Sequence, residues 1–452
     1  MAVQPNSVEA RDQAYQLHSY TNARTLEREG ALVIDSGKGI YVYDNNGKEY
    51  IEAMSGLWSV AVGFGEQRLI DAAVRQMSKL PYYHTFTART QEPSVNLAEK
   101  LIHMAPVPMS KVYFTNSGSE ANDTALKMIW YRSNALGKPQ KKKIISRIKG
   151  YHGVTIASAS LTGLPNNHRS FDLPLPGFLH TMCPHHRAFA QEGEDEQAFA
   201  VRCAQELESL ILEEGPETIA AFIGEPVMGA GGVIIPPSGY WQAIQAVLTK
   251  YDILLIADEV ICGFGRTGEM FGTTTYGLRP DIITVSKQLS SSYQPISALL
   301  INENVYGPLA DESHSIGTFG HGFTASGHPV AAAVALENIL IIEERNLIGN
   351  VQNLSPLFMS RLQALEDHSL ALEARAVGLI GALELKPRDG FAAGWLGSKL
   401  VALMLEKGLI GRAIGDSVAL CPPLIISEHE VNTIFDIFES ALDDFKVQLE
   451  AM

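Results

Sequence analysis

Lys287 ends an apolar run, DIITVS, and is followed at once by a polar segment, QLSSSYQP, that closes at Pro295. Lysine is rarely buried in full, so an amine delivered to the end of a buried strand either reaches solvent or is placed for chemistry. A second run, ILLIADE, delivers Asp258 and Glu259 to its own end. A third, KVYFT, runs into Asn116-Ser117-Gly118-Ser119-Glu120, which opens a helical pattern. Ser117 and Glu120 have capping-box spacing. Gly118 and Ser119 add bare backbone N–H groups and a hydroxyl at a helix N-terminus, a seat for an anion. The run KKIISR is followed by Gly150-Tyr151-His152-Gly153, where a tyrosine can lay its ring over a flat ligand or simply pack a turn. A phosphate seat, an aromatic face, a carboxylate and a lysine together describe a site for pyridoxal phosphate. The lysine amine forms a Schiff base with its aldehyde, and the acid pairs with its pyridinium nitrogen.

The elements that must position these groups follow from periodicity. From about 110 to 325, short runs rich in β-branched residues (KVYFT, KKIISR, AAFIGE, ILLIADE, DIITVS, ISALLI) alternate with helical patterns. That alternation predicts an α/β fold with a mostly parallel sheet covered by helices on both faces. Ligands of such sheets bind at the carboxyl ends of the strands. Upstream, GIYVYDNNGKEYIEA reads as a hairpin turning at Asn45-Asn46-Gly47, and a helix is expected over about 66–80. A long helix is expected from Gly327-His328-Pro329. After about 346 the pattern becomes helix, strands, helix, a smaller α+β unit. The expected division is therefore 1–65, an N-terminal segment joining the small domain; 66–345, the large cofactor-binding domain; and 346–452, the small domain.

With 452 residues, 46% hydrophobic and 19% charged, the chain is long enough for a large core and is not compositionally disordered. Thirty-five Lys plus Arg stand against 50 Asp plus Glu, a net charge of -15, which argues against a nucleic-acid binder. No window offers the ~18 apolar residues of a membrane span. The N-terminal MAVQPNSVEARDQ lacks the apolar core of a signal peptide, so a cytoplasmic protein is expected. The four cysteines are scattered, and Cys183-Pro184-His185-His186 has no second ligand pair at metal spacing, so no metal site is expected. Gly263-Phe264-Gly265-Arg266-Thr267-Gly268 fits GxGxxG, but the segment that follows, Met270 to Thr275, is poor helix sequence and Pro280-Asp281 starts the next strand, so a dinucleotide site is not expected.

Taken together, LLIADEVICGFGRTGEMFG with Lys287 downstream, SGSEAND, GYHG, GEPVMGAGG (224–232) and HGFTASGHP (321–329) resemble the fold-type I, class III pyridoxal-phosphate aminotransferases over nearly the whole chain. The subgroup it is most similar to is the ω-amine:pyruvate transaminases, which include β-alanine, polyamine and 4-aminobutyrate enzymes. The resemblance implies ping-pong transfer of an amino group to a keto acid, pyruvate above all, by a homodimer with shared active sites, or a tetramer. It implies Lys287 as the Schiff-base lysine and general base, and Asp258 as the pyridinium partner. Gly118 and Ser119 would hold the phosphate, and Thr324 would reach the phosphate of the neighbouring subunit's cofactor. Tyr151 and Val260 would flank the ring, with Glu225 nearby in the network. Tyr20, Trp58, Phe86 and Tyr151 would wall the substrate pocket. Arg412 would clamp a substrate carboxylate from a loop made permissive by Gly411 and Gly415, or else pair with Asp416 at the surface. The sequence departs from relatives at Ala325, often Tyr, and at Gln288, often small. A racemase, aminomutase or decarboxylase on the same fold is the alternative activity, and a non-catalytic binder of the cofactor the other alternative.

Overall fold

Short strands and long helices alternate through residues 4–452, which the computed structural model describes. At the N-terminal side β1 (Ile34–Lys38), β2 (Tyr41–Asp44) and β3 (Glu49–Glu52) form an antiparallel meander. The turn between β2 and β3 is the expected one, with Gly47 at φ 81°, a left-handed value glycine adopts freely.

The large sheet holds seven strands: β4 (Lys111–Thr115), β5 (Lys143–Arg147), β6 (Phe178–Thr181), β7 (Ile219–Gly224), β8 (Leu254–Asp258), β9 (Ile282–Val285) and β10 (Ser297–Ile301). Their spatial order is β4-β10-β9-β8-β7-β5-β6. Every residue of β7, β8, β9 and β10 is buried. Helices on both faces leave these strands no wet side, which is why they read as continuous apolar runs. Two features were not anticipated. β10 runs antiparallel to both its neighbours, β4 and β9. β6 is an additional edge strand, paired parallel to β5, whose middle residues are only half-buried.

Towards the C-terminus come β11 (Ala371–Val377), β12 (Ile380–Leu385), β13 (Leu409–Ile410), β14 (Arg412–Ile414) and β15 (Ser417–Leu420). Four of these form a sheet in the order β11-β12-β15-β14, while β13 joins β3 in parallel. The backbone of the N-terminal strands is thereby tied to residues 408–410: Ile51 N–H donates to Gly408 O at 2.8 Å and Ala53 N–H to Ile410 O at 3.1 Å.

The helix Gln67–Lys79 and the long helix Pro329–Glu344 form at the expected places. Pro329 sits in the first turn, where a missing N–H loses no helical bond. Helix Glu428–Glu450 starts from a complete capping box of Ser427 and Glu430. Among the described residues no helix is long and apolar enough to cross a membrane.

Candidate active site

Five strands of the large sheet end on one edge. β4 leads into Gly118 and Ser119, β5 into Tyr151 and His152, β7 into Glu225, β8 ends on Asp258, and β9 leads through Ser286 to Lys287. Together with residues from the N-terminal segment and from β14, they enclose a cavity of about 570 Å³. Tyr20, Trp58, Gly118, Ser119, Tyr151, Glu225, Asp258, Val260, Lys287 and Arg412 all line it.

Lys287 opens a short 3-10 turn, Lys287–Leu289, with φ 44°. A non-glycine residue in the left-handed region is strained, and such strain gathers at functional sites. The polar segment that follows explains how the turn is held. Ser290 Oγ donates to Gln294 O at 2.6 Å, and Ser291 Oγ donates to Asn338 Oδ1 at 2.7 Å while accepting from Ala61 N–H at 3.1 Å. The Lys287 side chain is half-buried and opens on the cavity. Burial lowers its amine to about 8, although the Asp258 and Glu225 carboxylates oppose the shift.

Asp258 is 3% exposed. Its Oδ2 accepts from His152 Nδ1 at 2.8 Å and from Asn122 Nδ2 at 3.0 Å, and its Oδ1 accepts from Val260 N–H at 3.2 Å. Neither partner announces itself in the sequence, although His152 lies within GYHG and Asn122 within SGSEAND, four residues after Gly118 on the same helix face. Glu225 is buried and divided between two backbone donors, Tyr151 N–H at 3.0 Å and Gly229 N–H at 2.9 Å. Burial raises its carboxyl, and the Asp258 carboxylate adds to the rise.

The chain fits pyridoxal phosphate on several counts. Gly118 and Ser119 begin the helix Gly118–Ala135, so their N–H groups have no intrahelical acceptor. A Cβ on Gly118 would stand 3.3 Å from Val260 Cγ2, and one on Gly153 would stand 2.5 Å from Ser119 Oγ; the glycines keep this corner open. Asp258 Oδ1 keeps acceptor capacity for a protonated ring nitrogen. One expected detail differs. Ser117 Oγ caps Glu120 N–H at 3.2 Å, but the Glu120 carboxylate accepts from Asn116 N–H at 2.7 Å rather than from Ser117, so the box is offset by a residue.

Tyr20, Tyr151 and Arg412 face one another across the mouth. Asn167 Nδ2 donates to the Tyr20 hydroxyl at 2.6 Å. Burial raises the Tyr151 hydroxyl and lowers the Arg412 guanidinium; the two tyrosine hydroxyls oppose the latter. Arg412 is not on a loop. It opens the edge strand β14, opposite Ala419 of β15, because a three-residue strand between Gly411 and Gly415 is too short to show periodicity. Nor does it pair with Asp416, whose carboxylate accepts from Gly394 N–H at 2.9 Å and Gly397 N–H at 3.0 Å.

Phe86 and Thr324 do not line this cavity. They share an exposed patch elsewhere: the Tyr82 hydroxyl donates to Thr324 O at 2.7 Å, and a Cβ on Gly322 would stand 2.6 Å from Phe86 Cζ. Gln288 faces away from the cavity. Its amide donates to Ile261 O and Gly263 O, both at 2.8 Å, and accepts from Arg266 at 3.2 Å. The GxGxxG segment forms a turn and is followed by only a five-residue helix, Gly272–Tyr276. A separate cluster gathers His185, Glu373 and Glu384, an assembly the sequence did not reveal. Arg375 already donates to both carboxylates at 2.7 Å, so the cluster is charge-compensated by a cation of the chain itself.

A family model described as aminotransferase class-III matches residues 24–442. Gamma aminobutyrate transaminase 1, mitochondrial, of Solanum lycopersicum is 49% identical over 427 residues, covering 93% of this chain and 83% of the relative. Vanillin aminotransferase of Capsicum frutescens is also 49% identical, covering 93% of each. The solved omega transaminase from Pseudomonas jessenii in complex with PMP is 61% identical, with a TM-score of 0.97 over 98% of this chain and 99% of that one.

Proposed function

The chain belongs to the class-III aminotransferases, and on that premise we propose that it moves an amino group from a primary amine or ω-amino acid to pyruvate. The observation that carries this reading is the meeting of Lys287, Asp258 and Arg412 in one cavity. The first two are what transamination requires of the protein. The third lets the same pocket receive a carboxylate.

Pyridoxal phosphate, when bound, supplies the electron sink for breaking a bond at the amine-bearing carbon. The chain supplies the rest. Gly118 and Ser119 offer N–H donors at a helix N-terminus to the phosphate. Tyr151 and Val260, both lining the cavity, would flank the ring. Asp258, oriented by His152 and Asn122, would hold a proton on the ring nitrogen. Lys287 Nζ first anchors the cofactor. With its amine free, Lys287 would take the proton from the substrate's amine-bearing carbon and give it to the cofactor carbon that had carried the aldehyde. A neutral amine is needed for this, and burial that lowers Lys287 to about 8 favours one. Tyr20 and Trp58 bound the pocket on the substrate side, with Glu225 fixing the backbone of Tyr151.

Phe86 and Thr324 share a patch outside their own chain's cavity, which supports a homodimer in which each serves the partner's site. Residues 66–345 are read as the cofactor-carrying unit, 346–452 as the smaller unit, and 1–65 as the segment joined to it. The cytoplasm is the proposed compartment; all four cysteines are free and buried, as suits reducing surroundings.

The test is a panel of donors (a short alkylamine, β-alanine, 4-aminobutyrate and a polyamine) with pyruvate and 2-oxoglutarate as acceptors. Turnover with pyruvate exceeding that with 2-oxoglutarate supports the reading. An amine consumed with no acceptor present, the cofactor returning to its starting absorbance, would instead show an aminomutase, racemase or decarboxylase.

A further inference from the structure

Glu52 ends β3 and is 4% exposed, and no step above uses it. Among the described residues no lysine, arginine or histidine pairs with it. Its acceptors are spent on the chain just ahead: Oε1 accepts from Met54 N–H at 3.2 Å, and Oε2 accepts from Gly56 N–H. A buried carboxylate without a cation is costly, and backbone N–H donors are the available compensation. Burial still lifts this carboxyl to about 7.

The two N–H groups belong to an unusual turn. Ser55 has φ 51°, Gly56 φ 66° and Trp58 φ 64°. A tryptophan in the left-handed region is a true outlier, with no short polar side chain to compensate it locally. Such a conformation persists only where its surroundings over-determine it. Here they do. Ser55 Oγ donates to Cys421 O at 2.6 Å, Arg266 reaches the same hydroxyl at 3.3 Å, and Trp58 N–H donates to Met54 O at 2.8 Å. The turn ends with Leu57 and Trp58 against the cavity that holds Lys287.

We propose that Glu52 is a positioning residue for donor discrimination: by capping the Met54 and Gly56 N–H groups, its carboxylate sets the left-handed turn that holds the Trp58 ring as a wall of the amine pocket. The inference rests on reading Trp58 as that wall. Glutamine cannot replace Glu52, because one end of an amide would present N–H to N–H. One cap is then lost and the wall relaxes, while Lys287 and Asp258, on other elements, are not touched directly.

The experiment is a double-mutant cycle on the holoenzyme: wild type, Glu52→Gln, Trp58→Ala and the double variant. The readout is the ratio of kcat/KM for 1-phenylpropylamine to that for isopropylamine. Trp58→Ala should raise the ratio. Glu52→Gln should raise it about three- to tenfold, the net scale of one lost hydrogen bond, acting through KM more than kcat. In the Trp58→Ala background Glu52→Gln should add nothing, since contacting residues that act as one unit are not additive. An equal fall for both amines, or the same effect in both backgrounds, would overturn the proposal by reducing Glu52 to a general support of the fold. A ratio unmoved by Trp58→Ala would remove the wall itself and this inference with it, a pattern distinct from failure of Glu52 alone. Should Glu52→Gln not yield folded holoenzyme, Glu52→Asp keeps the charge but retracts it. It should move the ratio in the same direction, and an unmoved ratio there overturns the proposal equally.

Discussion

His152 Nδ1 donates to Asp258 Oδ2 at 2.8 Å, and the other ring nitrogen of His152 is buried without a protein partner. The imidazole therefore serves the carboxylate through Nδ1, and among the described residues nothing pairs with Nε2. Asp258 is thus held from behind, its remaining capacity turned to the cavity. Asp258→Asn should slow the proton step at the substrate carbon by at least about a hundredfold, the scale of losing a preorganised electrostatic partner. His152→Ala removes only the orienting bond and should cost about tenfold. Single-turnover absorbance measures both; an Asp258→Asn variant with wild-type single-turnover kinetics would contradict the assignment.

The lowered Lys287 amine makes a signed pH prediction. Burial favours the neutral form, so the amine titrates near about 8 rather than 10.5. Only that form captures an aldehyde. Cofactor uptake by the cofactor-free chain should therefore rise about tenfold per pH unit below 8 and level off above it, one proton being lost. Stopped-flow uptake that is flat or falling from pH 6 to 8 would count against this.

Arg412 begins an edge strand beside Tyr20 and Tyr151, and among the described residues no carboxylate pairs with it. Arg412→Ala should weaken pyruvate and β-alanine about ten- to a hundredfold, as expected for a charge-assisted contact worth about 1.5–3 kcal/mol. A simple alkylamine should be nearly unaffected in the first half-reaction. Equal losses for both classes would assign Arg412 to cofactor or fold instead.

Thr324 and Phe86 lie together away from the cavity of their own chain. If they complete the partner's site, two inactive chains should rescue each other. Mixing Lys287→Ala with an inactive Thr324 variant should regenerate heterodimers in which one site has both native residues. Confirmed subunit exchange without any regained activity would exclude a shared site.

The large sheet was legible in the sequence because its central strands have no wet face, and unbroken apolar runs such as ILLIADE cannot be mistaken for loops. β6, an edge strand with half-buried positions, and β14, three residues between glycines, lack that signature. The strand ends gave Lys287 and Asp258 directly, since each terminates a run. What holds Asp258 could not be read: His152 and Asn122 are 106 and 136 residues away in the chain, and only the fold brings them together. The same applies to the turn at Ser55 and Trp58, whose strain is a backbone property that no local pattern announces.

The central claim is that Lys287 carries the cofactor. Borohydride reduction of the holoenzyme, followed by proteolysis and mass mapping, tests it in one measurement. The cofactor should be fixed on the peptide that contains Lys287 and on no other. Its recovery on a different lysine, with the Lys287 peptide unmodified, would contradict the account.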